Sequence, residues 1–168
     1  RFALVGNPNV GKSSLFNALT GLHQHTGNWP GKTVATAAGT CSIDGAAVEL
    51  IDLPGTYSLS ARSPEEEVAA EYISFGSADA VIVVCDATAL ERNLYLALQV
   101  MEITDHVVIC VNLMDEAGKR GIAVDLPRLS QLLGVRVVGT SARQKKTLPP
   151  LLRAAVAAAQ ERHRKPVP

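Results

Sequence analysis

The sequence predicts an α/β domain: a mostly parallel six-stranded sheet, covered by helices on both faces, with one antiparallel edge strand. Three observations carry that expectation. Short apolar runs alternate with amphipathic stretches from end to end, two of the runs are apolar on both faces, and one pair of runs flanks a hairpin turn. Residues 2–5 open as a buried strand, and residues 13–19, with apolar Leu15, Phe16, Ala18 and Leu19, follow as a helix. Residues 40–43 and 47–51 flank Asp44 and Gly45, a turn pair that signals a hairpin. Ser63, Pro64 and three successive glutamates start a helix running to about Ile73, because an acidic first turn suits the positive end of the helix dipole. Residues 80–85 are apolar throughout, as a parallel strand between two helix layers must be. Leu90, Leu94, Leu98 and Met101 follow at helical spacing, and Leu94, Tyr95 and Leu98 are expected to pack into the core. Residues 107–111 make another buried strand, 126–133 a short helix stopped by Gly134, 135–138 a last strand and 148–162 a closing helix. Residues 22–34 show no period and hold Gly27, Pro30 and Gly31, so a long mobile loop carrying Trp29 is expected there.

The 168 residues suit one domain, residues 1–168, with one sizeable core. Sixteen Lys plus Arg against 16 Asp plus Glu leave no net charge, hence no broad cationic footprint for nucleic acid or an anionic membrane surface. No nucleic-acid partner is expected. The apolar runs at 80–85 and 107–111 fall far short of the roughly 20 residues a membrane-spanning helix needs. The chain opens on Arg1 and runs straight into an apolar strand, and so reads as excised from something longer. Cys41, Cys85 and Cys110 cannot all pair, and the last two sit in apolar runs, which points to free thiols in a reducing compartment.

Sheets of this kind bind ligands beyond the carboxyl ends of their strands, and four short patterns fall there. Gly6, Asn7, Pro8, Asn9, Val10, Gly11, Lys12 and Ser13 match the phosphate-loop pattern GxxxxGK[ST] between a strand and a helix. Glycines let backbone wrap an anion, the helix amides point at it, Lys12 adds a compact charge, and the Ser13 hydroxyl suits Mg2+. Asp52, Leu53, Pro54 and Gly55 form a DxxG pattern at the end of the second hairpin strand. Beside a phosphate loop, Asp52 is placed to hold the Mg2+ shell, and Gly55 to offer its amide to a terminal phosphate whose loss would release the following loop. Thr33 is the leading candidate for a second Mg2+ hydroxyl, with Thr36 and Thr26 as competitors. Asn112, Leu113, Met114 and Asp115 form an NxxD pattern, and Thr140, Ser141 and Ala142 follow the next strand. An Asp115 carboxylate accepts from two guanine donors that adenine lacks, at about 1.5 to 3 kcal/mol each, and the Ala142 amide would bind the guanine O6. A purely structural reading, in which Asn112 and Asp115 cap the next helix, loses force beside the other three patterns.

Together these elements predict a three-layer P-loop GTPase fold of the translation-factor-like class. The candidate nucleotide-binding set is Gly6 to Ser13 with Ser14, then Gly31, Lys32 and Thr33, Asp52 to Gly55, Asn112 to Asp115, and Thr140 to Ala142. Lys12, Asn9, Thr33 and Gly55 are the candidate catalytic residues. The stretches GNPNVGKSSLFNALTG, GNWPGKTV, DLPGTYSL and CDATALERNLYLALQV resemble the cytosolic G domain of the ferrous-iron transport protein B family over about residues 1–143. That resemblance implies GTP hydrolysis coupled to Fe(II) uptake at the cytoplasmic face of the bacterial inner membrane, through a helical regulatory segment and a membrane region that this sequence lacks. It also implies that Asn9, at a position where potassium-activated GTPases place a cation ligand, holds K+ near the transferred phosphate.

Many GTPases orient the attacking water with a Gln after the DxxG glycine, but here that position is Thr56. Backbone groups of residues 27–31 are the expected substitute, with Glu66 and Glu67 as runners-up, although an acidic run at a helix start is ordinarily solvated capping. His23 and His25 supply two imidazoles, too few for a metal site, and read as exposed loop residues. Two other functions share these motifs. A ribosome-assembly or tRNA-modification GTPase would call for a basic module that the neutral charge does not provide, and a nucleotide-gated binding module would lack measurable intrinsic hydrolysis.

Overall fold

Residues 1–21 and 23–161 are described by a computed structural model; Leu22 and Arg162, the expected ends of the first loop and the last helix, lie outside the described residues. Among the described residues seven strands form one sheet: β1 (Phe2–Gly6), β2 (Gln24–Asn28), β3 (Ala35–Ile43), β4 (Ala46–Asp52), β5 (Ala80–Asp86), β6 (Val107–Asn112) and β7 (Arg136–Gly139). The helices are α1 (Lys12–Thr20), α2 (Pro64–Phe75), α3 (Leu90–Ile103), α4 (Met114–Lys119), α5 (Leu126–Leu133) and α6 (Leu148–Gln160). Strand order is β2-β3-β4-β1-β5-β6-β7, and β1 lies parallel to both β4 and β5. The connections leaving the neighbouring strands β1 and β5 therefore run toward opposite sides, which opens a crevice at their carboxyl ends.

The period-2 rule divides the core cleanly. Leu4, Leu50, Ile82, Val84 and Val108 face α1 and α6, where Leu15, Phe16, Leu151 and Ala155 are buried. Ala3, Val5, Val81, Val83, Ile109 and Val111 point the other way, onto Ala69 and Ile73 of α2, Leu96 and Val100 of α3, and Ala117 of α4. Every residue of β1 and β6 is buried, which is why these strands read as unbroken apolar runs. The hairpin turn has Asp44 at φ 50° and Gly45 at φ 83°, the mirror-image turn whose twist matches its strands. All three cysteines are free, and burial pushes the Cys85 and Cys110 thiols up to about 12. They act as small hydrophobes.

Two expectations need correction. The sheet has a seventh strand where a mobile loop was expected: β2 pairs antiparallel with β3, so the single reversed strand, β3, lies one place in from the edge. Four of the five β2 residues are exposed, so backbone pairing and the Gln24 amide, which donates to Asn17 and Thr20 of α1, hold the strand and no apolar alternation announces it. On α3 the buried stripe is Asn93, Leu96, Ala97 and Val100. Leu94 only partly packs, and Tyr95 and Leu98 are exposed. The leucine spacing was helical but pointed one residue away from the inward face.

Candidate functional site

Five residues join β1 to α1, wrapping tightly enough to put Asn9 at φ 66° and Gly11 at φ 78°. Gly11 has no substitute, because a Cβ there would also stand 2.6 Å from the Asn112 amide nitrogen. Gly11 is the N-cap of α1 and no side chain caps that helix. Its first amides and the positive end of its dipole therefore face the crevice, an arrangement suited to an anion. A cleft of about 560 Å³ opens here, lined by Asn7, Pro8, Asn9, Gly11, Lys12, Ser13, Ser14 and Gly55.

Lys12 is 8% exposed, and its ammonium bonds the Asp52 carboxylate and, at 2.6 Å, the Leu53 carbonyl. A buried charge needs such partners, and this one can exchange them for phosphate oxygens. The DxxG segment lies directly on the phosphate loop: the Leu53 N–H donates to Leu4 and the Thr56 N–H to Gly6, each at 3.0 Å. A Cβ on Gly55 would stand 3.3 Å from Pro8 Cα, so the two loops touch at backbone level. Pro54 is half-buried beside them. Thr56 is 3% exposed, and its hydroxyl donates to the Ser58 carbonyl at 2.6 Å, so that hydroxyl is engaged locally.

Asn112 is fully buried and joins the two ends of the site. Its Nδ2 donates to the Val10 carbonyl at 3.1 Å and more weakly to Gly11 at 3.4 Å, while its Oδ1 accepts from the Thr140 hydroxyl at 2.9 Å. The capping reading of NxxD does not apply, since the N-cap of α4 is Leu113, at φ 64°. The Met114 N–H donates to the Thr140 carbonyl, and the Asp115 N–H to the Ser141 hydroxyl. Asp115 is half-buried, with one carboxylate oxygen accepting from the Glu116 N–H at 3.0 Å. Thr147 buttresses the 140–142 turn by accepting from the Ser141 N–H and donating to the Ser141 or Gln144 carbonyl; Ala142 is half-buried there.

The third cluster of sequence candidates stands apart. Gly31, Lys32 and Thr33 line a separate hollow of about 790 Å³ with Asn28, Trp29, Pro30, Pro64 and Glu67. They sit at the tip of the β2–β3 hairpin, where the Trp29 N–H donates to the Val34 carbonyl at 2.7 Å, and Trp29 packs on Tyr72 instead of standing free. Glu66 is engaged in capping: the Ser63 hydroxyl accepts from its N–H, and its carboxylate accepts from the Arg62 N–H. His23 and His25 are exposed, and among the described residues no group of three His, Cys, Asp or Glu side chains could hold a metal ion. Sequence reading missed Thr147, Tyr72 and Gln99, whose amide oxygen accepts the Leu59 N–H at 2.9 Å and ties the DxxG loop to α3. Only Tyr72 carried a signal, as an aromatic four residues beyond Val68 on the inward stripe of α2.

Residues 1–155 match the family model described as ferrous iron transport protein B. The chain belongs to that family. It is 47% identical over 152 residues to the Fe(2+) transport protein A/Fe(2+) transporter FeoB fusion protein of Porphyromonas gingivalis, covering 90% of this chain and 18% of that one. The chain thus spans about a fifth of the length of the curated relatives it matches. Among solved structures, the cytosolic domain of the T. maritima FeoB iron transporter in a GDP form superposes with a TM-score of 0.92 at 44% identity, over 96% of this chain and 63% of that one. Its GMPPNP form gives a TM-score of 0.92 at 44% identity, over 95% and 64%. The fold is that of the P-loop GTPases, and among the described residues no helix is long and apolar enough to cross a membrane.

Proposed function

We propose that this chain is the GTP-binding and GTP-hydrolysing switch domain of a bacterial ferrous-iron uptake transporter, working at the cytoplasmic face of the inner membrane. In this reading it regulates Fe(II) transport through an attached helical regulatory segment and membrane region. The single observation that carries the nucleotide reading is the Asn112 bridge. One buried side chain holds the phosphate loop through Val10 and the 140–142 turn through Thr140. A ligand with phosphates at one end and a planar base at the other fits that spacing, and GDP and GMPPNP forms of the T. maritima relative support it.

In the proposed site, the α1 amides and Lys12 hold the phosphates, Asp115 accepts from guanine, and the Ala142 amide donates to O6. Ser13, exposed on the cleft, and Asp52, half-buried beside it, are hard oxygen donors that fit Mg2+. Mg2+ when bound would neutralise phosphate charge. Thr33 would join them only after its hairpin swings inward. Asn9, exposed on the cleft wall, offers one carboxamide oxygen to K+. With the Thr56 hydroxyl engaged by Ser58, backbone groups of residues 27–31 remain the candidates for orienting water. The turnover is proposed to be slow, as expected without a dedicated side chain.

Replacing Asp115 by Asn reverses the hydrogen-bonding pattern offered to the base. GTP affinity is expected to fall by tenfold or more and xanthosine triphosphate affinity to rise; unchanged GTP binding in a titration would refute the base assignment. Single-turnover hydrolysis by the isolated chain separates an enzyme from a nucleotide-gated binding module.

A further inference from the structure

The tip of the β2–β3 hairpin is fastened to α2 at two points. The Trp29 indole meets the Tyr72 ring edge-on, with centroids 5.6 Å apart and planes at 79°. The Lys32 ammonium lies 2.6 Å from the Glu67 carboxylate. Within the tip, the Trp29 N–H donates to Val34 and the Lys32 N–H to Trp29, at 2.7 and 3.0 Å, so these residues dock as a unit. Thr33 stands exposed beside the Lys32 fastening, lining the hollow with Pro64 and Glu67 and not the cleft around Lys12. In the acidic run, Glu66 is engaged at the start of the helix and Glu67 faces the hairpin.

We propose that Glu67 and Tyr72 form a latch that holds the Thr33 hairpin off the phosphate cleft, and that a nucleoside triphosphate, but not a diphosphate, must release it. This rests on the nucleotide reading above and adds to it the groups that set the resting position of the loop. Glu67 and Tyr72 are positioning residues, since neither lines the cleft. The ion pair is partly exposed, at 24% and 56%, and such pairs shift an equilibrium about two- to fivefold. An edge-on aromatic contact shifts it by about two- to tenfold. The latch is therefore weak enough to be overcome by a ligand whose preference for the released loop is only about tens-fold.

Trp29 is the only tryptophan of the chain, so its emission reports the latch directly. The test compares GMPPNP and GDP affinities, with Trp29 emission before and after nucleotide, for the chain and for Glu67→Gln and Tyr72→Ala. Glu67→Gln is expected to raise GMPPNP affinity about two- to fivefold and Tyr72→Ala by up to tenfold, with GDP affinity unchanged and Trp29 emission shifted before any nucleotide is added. An unchanged GMPPNP-to-GDP ratio in both Glu67→Gln and Tyr72→Ala would overturn the latch. So would Trp29 emission that is unchanged in both variants before nucleotide is added. If the unaltered chain binds neither nucleotide, the nucleotide reading itself falls, a result distinct from either of these.

Discussion

Removing the Asn112 side chain should damage folding and binding together. Asn112→Ala deletes three hydrogen bonds at a site with no solvent access: those to Val10 at 3.1 Å and Gly11 at 3.4 Å, and that from Thr140 at 2.9 Å. A neutral bond contributes about 1 kcal/mol, and a buried group left without a partner costs about 1 to 3 kcal/mol. Thr140 keeps a second neighbour in the Cys110 thiol at 3.1 Å, so the main penalty falls on the Val10 carbonyl. The expected loss is about 3 kcal/mol, which in a domain of this size lowers Tm by about 6 to 12 °C. Urea unfolding with an unchanged m-value would report it, and guanine nucleotide affinity should fall further than stability, because the bridge positions both ends of the site. A loss below about 1 kcal/mol would refute the bridge as the element joining the two loops.

Thr56→Ala should retain single-turnover GTP hydrolysis within about fivefold, since its hydroxyl bonds Ser58; a loss of a hundredfold would assign it the water. GTP turnover should be faster in K+ than in Na+, and Asn9→Ala should remove that difference; equal rates throughout would end the K+ assignment. A thiol reagent at pH 8 should label the partly exposed Cys41 and spare Cys85 and Cys110 until urea is added. Their thiols titrate near 12 instead of the usual 9.0, so the stabilisation from keeping them protonated is complete below pH 9 and is lost as pH rises toward 12. Rapid labelling of all three in the native chain would contradict that burial.

What was legible in the sequence followed from how each element earns its order. β1, β5 and β6 are buried on both faces, so composition alone marks them, and the phosphate loop is spelled by steric demands that only glycine meets at Gly11. β2 was not legible because its five residues carry no apolar alternation and are held by backbone pairing and the Gln24 amide, and the expected mobile loop is instead a hairpin with a docked tip. The NxxD spacing placed Asn112 and Asp115 together in the nucleotide-binding set, with only the Asp115 carboxylate assigned to the base. The hydrogen bonds of Asn112 to Val10 and from Thr140, set by the approach of β6 to the phosphate loop, had no local signal. The contacts of Lys32 with Glu67 and of Trp29 with Tyr72 join residues 35 and 43 positions apart, and no local pattern encodes them.

The register of the β2–β3 pair fixes how far the Thr33 hairpin can travel. Asn28 is paired with Ala35, so the residues from 29 to 34 are tethered at both ends to the sheet. Two residues of extended chain reach at most about 7 Å, so Thr33 stays within that distance of Ala35 wherever the tip goes. The proposed release from α2 is then expected to be a swing about a hinge at the sheet margin, with the ladder kept. A motion so confined leaves the ordering entropy of the rest of the chain untouched and belongs to the nanosecond-to-microsecond range of loop motion.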